Sequence, residues 1–225
     1  MTGTSDLFGG EAPAAGAAPP QWLEEGAALL RGFAIDVAPR LVQGIERIAA
    51  VSRWRHMVTP GGFQMSVSTT GAGPLGWTSS RRGYAYSATD PETGQPWPPT
   101  PESFLTLARE AAARGGFPGY EPDACLINEY LPGARMSLHQ DRDEEDRVAP
   151  IVSVSLGLPA TFLWGGPQRS SPTRKLPLFH GDVVVWGGPA RFMFHGVQPV
   201  KPGQGPLIGE RRWNITFRKV KNRGG

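Results

Sequence analysis

The chain is short of cysteine, of long apolar runs and of charge of one sign, and each shortage removes a class of answer. Its one thiol, Cys125 in "ACLINEYL", cannot close an internal disulfide, so a reducing cytoplasm fits better than secretion. Set in an apolar run, that cysteine reads as a small buried hydrophobe. Nowhere do 18 apolar residues stand together, and the N-terminus lacks a basic-then-apolar signal pattern. Neither membrane spanning nor export is therefore expected. The net charge is only +3 and no polybasic block is present, so a polyanionic partner is permitted without being required. No repeat of solenoid period occurs, which leaves one domain with N-terminal additions as the natural reading of 225 residues.

What is present is turn-forming and apolar in short pieces. Thirty Gly and 23 Pro accompany 39% hydrophobic residues, a balance that favours β-rich architecture over a helix bundle. Residues 1–20, rich in Gly, Ala and Pro, read as disordered, and residues 21–60 as an N-terminal helical segment. Two helical patterns carry that segment, "WLEEGAALLRGFA" and "APRLVQGIERIAAV", with apolar residues three and four apart. "FQMSVST", residues 63–69, alternates like a strand, and a Gly- and aromatic-rich loop spans 71–99. "PESFLTLAREAAARGG" predicts a helix that starts at Pro101 and stops at Gly115. From residue 124 the pattern turns to strands: "ACLINEYL", "RMSLHQD", "PIVSVSLGL", "ATFLWG", "DVVVWGG", "RFMFHGV" and "RRWNITFRKV". The expected class is α+β, with N-terminal helices buttressing a sandwich or barrel over residues 61–220.

The chemistry starts in "SLHQDRDEEDR", residues 137–147. A charge run of this kind is usually a solvated loop. On a strand, however, His139 and Asp141 would project to the same face. His195, at the end of the apolar "FMFH", would supply a second imidazole. Two histidines and a carboxylate suit an Fe(II) oxygenase, but zinc enzymes use them too, and the triad alone does not choose. The C-terminal strand does. In "RWNITFR", Arg212, Asn214, Thr216 and Arg218 share one face, and Trp213, Ile215 and Phe217 the other. An inward pair of arginines would grip a dicarboxylate such as 2-oxoglutarate, the reducing cosubstrate that such iron needs.

"CLINEYLPGARMSLHQDRDE", "APIVSVSLGLPATFLWGG", "HGDVVVWGG", "FHGVQP" and "RRWNITFR" together resemble the AlkB family of Fe(II)/2-oxoglutarate-dependent dioxygenases. The resemblance covers roughly residues 60–220 and implies a double-stranded β-helix (jelly-roll) core with nucleotide-recognition loops. It implies removal of methyl groups from 1-methyladenine and 3-methylcytosine in DNA or RNA, with 2-oxoglutarate and O2 consumed. It makes His139, Asp141 and His195 the iron ligands, and Arg212 the partner of the far carboxylate of 2-oxoglutarate. Arg218, Asn128 and Tyr130 would be its remaining partners, with Asn214 on the same face. Trp213 departs from the family's expected tyrosine, which bears on packing more than on chemistry.

For the substrate, a methylated base is cationic and calls for ring faces and a carboxylate. "PLGWTSSRRGYAYS" offers Trp77, which resemblance assigns to base stacking, and Tyr84, assigned to a phosphate. Asp143 would face the base's amino group and Arg169 the pocket or backbone, while Arg81 and Arg82 read equally well as ordinary surface. The base must be single-stranded or flipped out to react. The expected protein is a cytoplasmic monomer. Three rivals stand beside this reading: a zinc hydrolase, a non-catalytic nucleic-acid-binding jelly roll, and a dioxygenase of the same fold acting on protein or lipid.

Overall fold

A computed structural model describes residues 18–222. The disorder expected of residues 1–20 therefore falls, up to residue 17, outside the described residues. The elements begin with β1 (Gln21–Glu24), β2 (Ala27–Leu30), α1 (Ala38–Val51), β3 (Ser68–Ala72), β4 (Gly76–Ser80), β5 (Gly83–Ser87) and α2 (Glu102–Arg114). They continue with β6 (Ala124–Tyr130), β7 (Met136–His139), β8 (Ile151–Gly157), β9 (Ala160–Trp164), β10 (Arg174–Leu178), β11 (Val183–Trp186), β12 (His195–Val197) and β13 (Arg212–Arg218).

Two larger antiparallel sheets face each other. One has seven strands in the order β1-β2-β11-β8-β13-β6-β3, and the other has four in the order β10-β9-β12-β7. β4 and β5 form a separate two-stranded ribbon. The larger sheet is covered on both faces. On its outer face Leu41, Ile45 and Ile48 of α1 and Phe104, Leu107 and Ala111 of α2 pack against Ile127, Val152, Val154, Ile215 and Phe217. On its inner face Leu29, Ile151, Val184 and Trp186 meet Phe162, Trp164 and Val197 of the smaller sheet. The helices thus buttress one sheet of a jelly roll, as the sequence predicts.

β13 shows why alternation positions the site. Trp213, Ile215 and Phe217 enter the helix layer, where Phe217 meets Phe104 edge-on with ring centroids 6.3 Å apart. Their neighbours in sequence therefore face the space between the sheets. Trp213, where the resemblance leads one to expect tyrosine, stacks on Trp54 at 5.8 Å and donates its Nε1–H to Glu129 at 3.0 Å. Cys125 is buried in the same layer, and burial pushes its thiol up, so it stays a protonated hydrophobe.

Four sequence expectations need correction. "WLEEGAALLRGFA" is not a helix but the β1–β2 hairpin. Gly26 turns it at φ +79°, where an added Cβ would lie 2.5 Å from the Gly187 carbonyl. β2 is buried along its whole length between β1 and β11, so its apolar run carries no helical or strand period to read. The strand expected over 63–69 begins only at Ser68. The loop expected over 71–99 contains the β4–β5 ribbon, whose strands pair from Gly76↔Ser87 to Ser80↔Gly83. β10 was not foreseen, because "RKLPL" is mostly exposed and contains a proline.

The ribbon's surroundings are fixed by a buried ion pair. Asp90 receives Arg55 through both carboxylate oxygens at 2.5 Å and the Ser52 hydroxyl at 2.9 Å, which ties the end of α1 to the chain leaving β5. The Arg55 hydrogen bonds hold the Asp90 carboxyl down at about 2 against an ordinary 3.8. A depressed carboxyl stabilises the fold fully above its unfolded value and loses that contribution as pH falls towards 2. Asp90→Asn should lower the thermal midpoint at pH 7, because it leaves the Arg55 charge unpaired. It should also flatten the midpoint's fall between about pH 4 and pH 2, read by calorimetry at stepped pH.

Candidate active site

The inner faces of the two sheets enclose a cavity of about 820 Å³. His139 ends β7 and His195 begins β12, and the two are directly paired across the antiparallel ladder. Their ring centroids are 4.4 Å apart. Gly196 permits this approach, since a Cβ there would come within 2.7 Å of the Met136 carbonyl. Each imidazole has Nδ1 against a backbone carbonyl, His139 to Ser137 at 2.8 Å and His195 to Met193 at 3.0 Å. A carbonyl only accepts, so Nδ1 carries the proton and Nε2 keeps a free lone pair.

Asp141 lies beyond the end of β7, which corrects the expectation that strand alternation places it. Two arginines do so instead. Arg191 donates Nη1–H to the Asp141 carbonyl at 2.8 Å, and Arg218 donates Nη2–H to its Oδ1 at 3.0 Å. Burial alone would push the Asp141 carboxyl up, but the Arg218 guanidinium beside it holds it well below the ordinary carboxylate range. Burial and the neighbouring His195 push His139 down to about 4. At neutral pH His139 is therefore a neutral imidazole beside the Asp141 carboxylate.

Oδ2 of Asp141 stands 3.4 Å from His195 Nε2, and Oδ1 stands 3.9 Å from His139 Nε2. One ligand atom from each of the three lies within 4.8 Å of the others. Lone pairs facing lone pairs at such distances are stabilised by a cation between them, and the donor set suits Fe(II) or another divalent transition metal. The strand expected over "RFMFHGV" also needs correction: "FMF" lies outside any strand, after the short helical turn Gly188–Ala190, and His195 opens its strand instead of closing it.

Beside the triad sits a second set of unused donors. Arg212 is 1% exposed and gives Nη2–H to Ser155 at 3.1 Å. Its Nε and Nη1 have no hydrogen-bond partner among the described residues. Burial draws its pKa below the ordinary guanidinium value, as expected of a cation without a counter-ion. Asn128 Oδ1 is also buried without a partner among the described residues. The β6–β13 pairing sets Asn128 opposite Asn214 and Tyr130 opposite Arg212, whose guanidinium lies 4.9 Å from the Tyr130 ring centroid. A buried guanidinium fork with two idle donors fits a carboxylate, and so fits one end of 2-oxoglutarate. Asn214 is occupied differently. Its Nδ2 bonds Ser153 and Val154, and its Oδ1 accepts from Thr216, so it builds the wall. Arg218 is engaged by Asp141 and lies 3.3 Å from Glu144.

At the mouth, Trp77 on β4 stacks on Tyr84 of β5 at 5.5 Å and donates Nε1–H to Asp143 at 3.1 Å. Arg169 is exposed at the rim, 5.2 Å from the Phe194 ring centroid. All four line the same cavity as the triad. Arg81 and Arg82 form the exposed tip of the ribbon. Two residues not singled out from sequence, Glu144 and Arg191, stand behind the site together with Tyr86, the third aromatic of "PLGWTSSRRGYAYS". Glu144 was hidden in the charge run, yet it is 4% exposed. Arg191 carried a readable signal, a lone arginine beside the apolar "FMF".

Comparison with known proteins agrees with this geometry. Residues 26–218 match the 2OG-Fe(II) oxygenase superfamily. The chain is 55% identical over 198 residues to the alpha-ketoglutarate-dependent dioxygenase AlkB of Escherichia coli K12, covering 88% of this chain and 92% of that one. It is 46% identical over 188 residues to the AlkB homolog of Caulobacter vibrioides, covering 83% and 84%. The solved structure of OsALKBH1 superposes with a TM-score of 0.78 at 29% identity, over 88% of this chain and all of that one.

Titration with Mn(II) under argon should raise the thermal midpoint, by about 3 kcal/mol of stability at roughly one hundred times Kd. His195→Ala should lose that response while keeping the other side chains' packing, as read by differential scanning fluorimetry.

Proposed function

Since the chain belongs to the 2OG-Fe(II) oxygenase superfamily and, within it, to the AlkB family, we propose that it demethylates alkylated bases in nucleic acid and so repairs them. The observation that carries the reading is the meeting, in one cavity, of the two-histidine, one-carboxylate cluster, the idle Arg212 fork and the Trp77 ribbon. His139, Asp141 and His195 would hold Fe(II). Arg212 would hold the far carboxylate of 2-oxoglutarate, with Asn128 and Tyr130 beside it and Arg218 and Asn214 completing the wall. When bound, iron and 2-oxoglutarate supply oxidation of an N-methyl group by O2, releasing formaldehyde, succinate and CO2.

The chain's own residues do the rest. Arg218 and Arg191 orient Asp141, and Arg218 keeps it ionised. Phe162 and Trp186 line the cavity beside the triad with apolar surface and exclude water from it. Trp77 offers a ring face to a cationic 1-methyladenine or 3-methylcytosine, Tyr84 reaches a neighbouring phosphate, and Asp143 accepts from the base's amino group. Arg169 and the ribbon tip, Arg81 and Arg82, would hold the strand's phosphates, which makes binding salt-sensitive. The substrate is DNA or RNA, with the base single-stranded or flipped out. Among the described residues no helix is long and apolar enough to cross a membrane. With its one buried thiol, the protein is proposed to act in the cytoplasm as a monomer, residues 61–220 carrying the proposed site residues and recognition loops while β1 and β2 complete the larger sheet.

Anaerobic Fe(II) with 2-oxoglutarate should give a visible metal-to-ligand charge-transfer band. Admitting O2 with an oligonucleotide carrying 3-methylcytosine should release formaldehyde. His139→Ala should abolish both, and Arg212→Ala should weaken the band by raising the 2-oxoglutarate concentration it needs. Trp77→Ala should keep the band and lower the repair rate, by roughly tenfold for one lost stacking partner. Succinate formed without formaldehyde from any methylated oligonucleotide would instead favour a protein or lipid substrate.

A further inference from the structure

The β4–β5 ribbon carries Trp77 and Tyr84, yet it belongs to neither larger sheet. A two-stranded ribbon is marginal on its own, so its position depends on side-chain ties. Ser79 donates its hydroxyl to the Val58 carbonyl at 2.7 Å, which anchors the ribbon to the chain before β3. Two further ties reach the loop that holds Asp141. One is Trp77 to Asp143, already described. The other is Tyr86, whose hydroxyl donates to Glu144 Oε1 at 2.5 Å.

Glu144 sits at the centre of a buried charge cluster. Its Oε2 receives Arg191 Nη2–H at 2.9 Å, and its Oε1 lies 3.3 Å from Arg218 Nε. Both arginines also hold Asp141. Two guanidinium groups against two carboxylates balance, so the loop's charges are matched without Tyr86. The tyrosine adds no charge; what it adds is its strand. Tyr86 is paired directly across the ribbon from Trp77, so fixing one fixes the other.

We propose that Tyr86 is a positioning residue, tethering the base-stacking ribbon to the metal-ligand loop through Glu144 and thereby setting where a base lies relative to Asp141. This rests on the reading that Trp77 receives the base. When Asp143 turns to a base's amino group, Trp77 gives up its bond to Asp143, and Tyr86–Glu144 is the polar tie that keeps the ribbon on that loop. An oxygen–oxygen distance of 2.5 Å is that of a charge-assisted hydrogen bond, the strong kind.

Tyr86→Phe tests this because it removes one hydroxyl and leaves the buried charges matched. The ribbon tip, Arg81 and Arg82, reports ribbon release directly through trypsin cleavage. In the Fe(II)·2-oxoglutarate protein under argon, Tyr86→Phe should be cut there roughly tenfold faster than wild type, the factor for losing one hydrogen bond to a charged group. The charge-transfer band should be unchanged. KM for the 3-methylcytosine oligonucleotide should rise about tenfold, with kcat within about twofold. Wild-type cleavage rate and KM in the variant would overturn the tether, and so would loss of the band, which would put Tyr86 in service of the iron ligands instead. If wild-type protein releases no formaldehyde, the proposed substrate fails, and the trypsin rates alone then decide the tether.

Discussion

The site depends on one cross-strand pairing. β7 and β12 set His139 opposite His195, and Asp141, which lies beyond the end of β7, is pulled into the same space. The attraction that holds it there is Arg218, at 3.0 Å in a buried setting where the charge pair is poorly screened. Arg191 fixes the backbone of the same residue. The protein thus carries its cations outside the triad and leaves the triad's interior to a metal. A divalent ion between the three donors would offset the cost of bringing them together, so metal binding should stabilise the fold.

The second constraint is the alternation of β13. A strand between a helix layer and a second sheet must be apolar towards the helices, and Trp213, Ile215 and Phe217 meet that demand. The even positions are then free to be polar, and they supply Arg212 next to the triad and Arg218 behind it. One strand therefore joins the core to both the unpartnered Arg212 fork and the arginine that holds Asp141. The ribbon is the opposite case. It has little core of its own and is positioned by a few polar contacts, a construction suited to a part that meets a substrate and lets it go.

Sequence patterns revealed those parts whose period is strong. α1 and α2 run over the residues their apolar spacing predicts, and β13's two faces divide as its alternation requires. The meeting of His139, Asp141 and His195 was legible from the H-x-D spacing and one distant histidine, and the inward face of Arg212 from the alternation of β13. β2 was not, since a strand buried on both faces has no alternation, and "AALL" is as good a helix as a strand. Glu144 was not legible either, because a charge run does not say which of its members turns inward. Asp141 and Glu144 are buried while Arg142, Asp143 and Glu145 between and after them are exposed, and only the tertiary partners Arg191 and Arg218 decide it.

X-ray absorption at the iron edge, on protein loaded anaerobically with Fe(II) and 2-oxoglutarate, measures the central arrangement most directly. Two imidazoles sharing the ion with oxygen donors should give the multiple-scattering pattern of two histidine rings, falling to one in His195→Ala. A pattern with one ring or none in the unaltered protein would mean that His139 and His195 do not share a metal, and the reading of this cavity would be wrong.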